Sequence, residues 1–287
     1  MAMRRTITPA ILLMTRDMGE SDLLVDLFTR DSGVVVGIAK GAKKSLRRFV
    51  NTFDTANLIT AKFYRPNGRE LFIIEDASLI NSFPHLSSSM SLLAYGEFTL
   101  ELISQFSPAG VPQVKLFDAI VSFLSTIDVI GSKDKRWNGS STVSLEGLFW
   151  SHTLKFLEEL GIAPLFGKCV RCGKEFNGNN IDNHTNLSYN VSNNCSPRGV
   201  LDFFVPSTGG MVCGGCLLSR EVGVPFSKGT IMALIKVKDV PIERLAILKF
   251  TQDSLKEIRK GLMAFIRYQA GRSVKSADFI ERYLKCN

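Results

Sequence analysis

The sequence predicts a multidomain α+β protein: a small five-stranded β-barrel, then an α-helical part that carries a four-cysteine module. Three observations point there. Five short runs rich in β-branched and apolar residues, separated by turn signals, fill about the first eighty residues. From Met90 the apolar spacing changes to that of buried helices. Two Cys-x-x-Cys turns, Cys169–Cys172 and Cys213–Cys216, then interrupt the helical pattern.

Ala10-Ile-Leu-Leu-Met14 is the first expected strand. In the second, Leu23, Val25 and Leu27 share one face at period two. Asp31-Ser32-Gly33 turns the chain into Val34–Ala39, where Gly37 suits a bend. Ala56–Tyr64 and Leu71–Ile74 follow, joined through Arg65-Pro66-Asn67-Gly68, whose Asn-Gly is a strong turn signal. Five such strands fit an oligonucleotide-binding (OB) barrel.

Between the third and fourth strands, Lys40 to Phe49 holds Lys40, Lys43, Lys44, Arg47 and Arg48 and no acid. These cations can meet successive phosphates and release condensed counterions. Phe49 either stacks on a base or belongs to the barrel core. The segment has no GxxxxGK[ST] spacing, so a nucleotide-hydrolysing loop has no support here.

Helices are expected over Met90–Ile103, with a serine cap among Ser87–Ser89, then Val114–Ile127 and Leu145–Leu160. Their wide leucine and aromatic faces are core. Lys228–Val237 is a short helix, Leu245–Phe250 an apolar run of uncertain type, and Asp253–Ala270 a helix closed by Gly271. Ser276 is the expected cap of the last helix. The expected divisions are 1–80 for the barrel, 81–166 and 222–287 for the helical domain, and 167–221 for the cysteine module set into it.

The two cysteine pairs supply four thiolates about forty residues apart, the usual makeup of a structural tetrahedral zinc site. Gly173, Gly214 and Gly215 ease the turns. Free thiols or disulfides are the plainer alternative, and no βαβ pattern supports a redox-active pair. An Asn-rich surface excursion, Gly178–Gly199, separates the pairs and holds His184 and Cys195, neither of which a complete four-cysteine site needs. A catalytic zinc would keep a position open for water beside a general base. Four thiolates leave neither, and the chain has only three histidines, which makes a metal-dependent nuclease the weakest reading.

Composition agrees with a globular chain: 45% hydrophobic and 22% charged, but with a net charge of +8 that suggests a polyanionic partner. Residues 1–80 carry 12 Lys or Arg against 9 Asp or Glu, and residues 228–287 carry 13 against 6, so the positive charge is terminal. Arg267, Arg272 and Lys275 fit either an extension of a nucleic-acid path or solvated helix ends beside an acidic partner. No apolar run reaches membrane-spanning length and the start does not read as a secretion signal, so a cytoplasmic address is expected.

Several segments together resemble the bacterial recombination mediator family RecO: Gly19-Glu20-Ser21-Asp22, Leu27-Phe28-Thr29 with Gly33, Lys40-Gly41-Ala42-Lys43-Lys44 through Arg47, and Phe53. Gly209-Gly210 before Cys213 and the terminal Gly271-Arg272-Ser273-Val274-Lys275-Ser276-Ala277-Asp278-Phe279 also match. The resemblance implies an OB barrel followed by a helical domain holding one structural zinc on Cys169, Cys172, Cys213 and Cys216. It implies a non-enzymatic protein that binds single- and double-stranded DNA and anneals complementary strands. It implies partners RecR and single-stranded-DNA-binding protein, in loading RecA at the nucleoid. Lys40, Lys43, Lys44, Arg47 and Arg48 are then the DNA-facing residues. A zinc-containing protein-interaction scaffold is the alternative function.

Overall fold

The computed structural model describes residues 5–45, 47–132, 144–176 and 202–283. Gly178–Gly199, with His184 and Cys195, and the near-terminal Cys286 lie outside the described residues. The chain divides into two compact units, Met1–Asn138 with Val274–Asn287, and Gly139–Ser273.

In the first unit β1 (Arg5–Met18), β2 (Asp22–Thr29), β3 (Gly33–Ala39), β4 (Leu58–Tyr64) and β5 (Phe72–Asn81) form a barrel in the order β1-β2-β3-β5-β4. β4 pairs back onto β1, and β3 with β5 is the parallel pairing in an otherwise antiparallel set. Because β5 sits between β3 and β4, the chain leaving β3 must cross over before it can enter β4. That crossing is the basic segment. It runs beside β5, where the Ala77 N–H donates to the Arg48 carbonyl at 3.0 Å.

Alternation along the strands fills the barrel: Leu12, Val25, Leu27, Val35, Ile59, Phe63 and Ile74 belong to one buried cluster. β1 and β5 are longer than the apolar runs suggested. β1 includes Pro9, which needs no donor there, and bends where its register shifts between Leu12 and Met14. Ile11 and Leu13 are buried together with Ala10 and Leu12. A strand covered on both faces loses the alternation that marks its ends. The β2–β3 turn holds Gly33 at φ +61°, and a Cβ there would lie 2.2 Å from the Val111 carbonyl oxygen.

The helices of this unit are α1 (Met90–Phe106), α2 (Val114–Ser132) and α6 (Lys275–Tyr283). Ser89 caps α1, accepting from Leu92 N–H. The cap of α6 differs from the sequence expectation. The Glu101 carboxylate on α1 accepts from Lys275 and Ser276 N–H at 2.9 and 2.8 Å and also from the Ser276 hydroxyl. An anion beats a hydroxyl at a helix N-terminus, where unpaired N–H groups and the dipole both favour negative charge.

The second unit holds α3 (Leu145–Glu159), α4 (Lys228–Asp239), α5 (Gln252–Ala270) and a three-stranded sheet, β7-β6-β8. Its strands are β6 (Asp202–Val205), β7 (Gly210–Cys213) and β8 (Val224–Phe226). Ser144, Ser227 and Thr251 cap the three helices through their hydroxyls. The uncertain run near Leu245 is a 3-10 turn over Ile242–Ile247. Phe204 of β6 stacks between Phe166 and Phe226 and meets Phe265 of α5 edge-on, which ties the sheet to the helices.

Candidate metal centre and basic surface

Each cysteine pair closes a hydrogen-bonded turn. In the first, Cys169 N–H donates to the Lys174 carbonyl and Gly173 N–H to the Cys169 carbonyl, with Gly173 at φ +75°. In the second, Cys216 N–H donates to the Cys213 carbonyl at 2.8 Å. Val170 N–H reaches the Met211 carbonyl at 2.9 Å, which stitches the first turn to β7. Gly210 allows this approach: a Cβ there would meet Val170 Cγ1 at 2.6 Å and the Leu165 carbonyl oxygen at 2.8 Å.

The four sulfurs of Cys169, Cys172, Cys213 and Cys216 lie within 4.8 Å of one another. Cys172 Sγ and Cys213 Sγ are 3.7 Å apart. A disulfide would need about 2.05 Å. A tetrahedron of metal–sulfur bonds of about 2.3 Å has edges of about 3.8 Å, so the donor set and its spacing fit a four-thiolate metal centre. Cys169 and Cys213 are buried and the other two half-buried. Burial pushes the Cys169 thiol up, but N–H groups of Cys172, Cys213 and Arg171 outweigh it and bring the thiol down to about 7. Such a thiolate is ready to bind a cation at neutral pH.

Arg171, between the first two cysteines, was not singled out from the sequence. Its guanidinium donates to the Cys216 carbonyl and to the Glu221 carboxylate. Glu221 in turn accepts from Leu218 N–H at 3.1 Å.

The basic segment leaves β3 through Gly41 (φ +66°) into a short 3-10 turn, Ala42–Lys44. It is clasped to the β1–β2 turn at three points. Asp22 accepts from Gly41 N–H at 2.8 Å, Lys43 N–H donates to the Ser21 carbonyl, and Lys43 Nζ meets Asp17 at 2.9 Å and the Gly19 carbonyl at 3.1 Å. The Gly41 N–H holds the Asp22 carboxyl below the usual carboxylate range. The five predicted cations are therefore not equivalent. Lys43 is engaged with Asp17. Arg48 donates to the Lys40 carbonyl at 2.7 Å and lies 5.0 Å from the Phe49 ring centroid. Lys40, Lys44 and Arg47 are exposed, and the charge of Lys40 also acts on the Asp22 carboxylate. Phe49 is only 5% exposed and packs with Phe53 in the barrel, so it belongs to the core and is not free to stack on a base.

Arg267 sits half-buried in the last turn of α5, while Arg272 and Lys275 are exposed. Arg267 and Arg272 belong to the second unit and Lys275 to the first. Asp17, Asp22 and Glu221 were missed by sequence reasoning, although Asp22 stands in the Gly-Glu-Ser-Asp stretch already singled out.

The second unit also holds an apolar cavity of about 400 Å³, walled by Leu154, Leu165, Phe166, Leu234 and Val237, with charged residues of both signs, Lys155, Glu158, Lys168, Glu175 and Lys238, also lining it. Lys155 Nζ is anchored on the Lys238 carbonyl at 2.6 Å.

Comparison with known families separates a generic barrel from a particular one. The family described as Recombination protein O N terminal matches residues 3–83, and Recombination protein O C terminal matches residues 87–278. The chain belongs to the RecO family. Among its relatives, the DNA repair protein RecO of Syntrophobacter fumaroxidans is 29% identical over 282 residues, covering 98% of each chain. That of Anaeromyxobacter dehalogenans is 24% identical over 279 residues, covering 97% of each. That of Pelotomaculum thermopropionicum is 26% identical over 274 residues, covering 96% of this chain and 93% of its own. The RecO N-terminal region is the OB barrel, with the clasped basic segment on it, and the RecO C-terminal region includes the four cysteines. Among the described residues no helix is long and apolar enough to cross a membrane.

Proposed function

We propose that this chain is a non-enzymatic DNA-binding mediator of recombinational DNA repair. It anneals complementary single strands and acts with RecR and single-stranded-DNA-binding protein to help load RecA, in the cytoplasm at the nucleoid. One observation carries the reading: on an OB barrel of the RecO family, a clasped loop presents Lys40, Lys44 and Arg47 exposed to solvent. Exposed cations on a fixed loop exchange counterions for phosphates with little regard to sequence. Strands whose charge is partly neutralised repel one another less, so they pair without any covalent step. Arg267, Arg272 and Lys275 are proposed as further DNA-contacting cations.

The four cysteines hold one structural zinc, which supplies folding energy to the second unit.

A strand-annealing assay with two labelled complementary oligonucleotides tests the reading. Wild type should accelerate annealing, and the Lys40→Ala/Lys44→Ala/Arg47→Ala variant should lose most of the acceleration while keeping its melting midpoint. Equal acceleration by both proteins would remove the loop from the mechanism.

A further inference from the structure

Arg171 and Glu221 form one strap across both cysteine turns. Arg171 lies inside the first Cys-x-x-Cys and Glu221 five residues beyond Cys216. One arm of the guanidinium takes the Cys216 carbonyl and the other takes the Glu221 carboxylate. The second oxygen of Glu221 accepts the N–H of Leu218, the second residue after the last cysteine. Two turns joined in sequence only by a long connection are thus cross-linked by a single side chain. The backbone of the same residue contributes as well, since the Arg171 N–H points to the Cys169 sulfur.

Arginine keeps its proton under all working conditions, so the fork stays available to both of its acceptors. The side chains of Arg171 and Glu221 are 27% and 17% exposed, so solvent screens the pair less than it would an open surface bridge.

We propose that Arg171, held by Glu221, is a positioning residue for the metal: it keeps the two cysteine turns in register and slows loss of the ion. The inference rests on the reading of the four cysteines as a zinc site. Groups that orient first-shell ligands typically change metal affinity by about 10–100-fold when removed.

The test uses the full chain loaded with zinc. Metal content is measured first, and release into excess chelator is then followed with a chromogenic zinc indicator. Wild type should hold about one zinc and release it slowly. Arg171→Gln and Glu221→Gln should release it at least about 10-fold faster. Arg171→Lys, which restores the charge but not the fork, should fall between. Melting of the metal-stripped proteins separates this from an ordinary ion pair, because a positioning role shifts the loaded midpoint more than the stripped one. Unchanged release from Arg171→Gln, or equal shifts in both midpoints, would overturn the proposal. Should Arg171→Gln fail to fold, Glu221→Gln and Arg171→Lys carry the same comparison. A wild-type chain that takes up no zinc would instead refute the metal-site reading beneath it.

Discussion

On the proposed function, three cations presented by one loop give DNA binding a salt dependence that can be worked out in advance. Lys40, Lys44 and Arg47 are exposed, with Lys40 also near the Asp22 carboxylate, whereas Lys43 is committed to Asp17 and Gly19. Each phosphate contact on a single strand contributes about −0.7 to the slope of log K against log salt. Replacing all three cations by alanine should therefore flatten the slope by about 2. Between about 50 and about 200 mM salt, the gap in affinity between wild type and variant should shrink by roughly 20-fold. Fluorescence anisotropy with a labelled oligothymidylate, titrated at several salt concentrations, reads both quantities. A control removes Lys43 alone. Its ammonium already has an internal carboxylate, so Lys43→Ala should change the slope by less than about 0.7. Parallel slopes for wild type and the triple variant would refute the reasoning, even if the variant bound more weakly, because a lost phosphate contact cannot leave counterion release unchanged.

Three further outcomes are expected. Cys169→Ser should lose its zinc by elemental analysis and melt at lower temperature, and a variant that keeps full zinc content would break the four-ligand assignment. Gly33→Ala combines a left-handed backbone, costing about 1–2 kcal/mol, with a Cβ 2.2 Å from a backbone oxygen of Val111 that cannot rotate away. Denaturant unfolding should show a loss of at least about 2 kcal/mol, and a neutral result would mean that the 109–111 loop is not packed on the barrel. His152 is 2% exposed, and burial moves its imidazole down from 6.5 to about 4. The unfolded chain then binds the extra proton, so stability is fully present above about pH 6.5 and falls as pH drops toward about 4. The loss approaches 1.4 kcal/mol per unit, and His152→Phe should show a shallower acid slope in thermal melts at pH 7, 6 and 5.

Local signals in the sequence were enough for most of the architecture. Alternation at Leu23, Val25 and Leu27 marks a real strand face, and Asn67-Gly68 lies in the β4–β5 connection. The cysteine pairs were legible for the same reason, since the chemistry of each turn lies within four residues. Long-range features were not legible. β1 extends to Arg5 and β5 to Asn81 because both strands continue beyond their most apolar runs, and no local pattern records where a partner strand ends. Ser276 looks like a cap in sequence, yet the capping oxygens come from Glu101 on another helix. Phe49 lies in a basic, polar stretch and still faces inward, because the crossing segment must cover the barrel beside β5.

The same limit governs how the charge of the basic segment is counted. Read as letters, residues 40–48 offer five cations and no acid, which implies a slope contribution of about −3.5 on a single strand. The fold brings in acids and carbonyls that the letters do not show. Asp17 engages Lys43, and Arg48 turns back to the Lys40 carbonyl and its own neighbouring ring. Lys43 is offset by a carboxylate, while Arg48 is turned back on the loop but stays exposed and charged, which lowers the expected contribution to between about −2 and about −3. On the proposed function, the division is useful to a protein that must both hold a strand and release it. A loop stiffened by its own ion pair meets phosphates without first losing conformational freedom, while a modest number of contacts keeps each strand exchangeable. The distinction can be measured: Asp22→Ala frees the Gly41 N–H and the charge of Lys40 together, so a loss of binding from the loosened loop should come with a salt slope at least as steep as wild type, because no cation is removed.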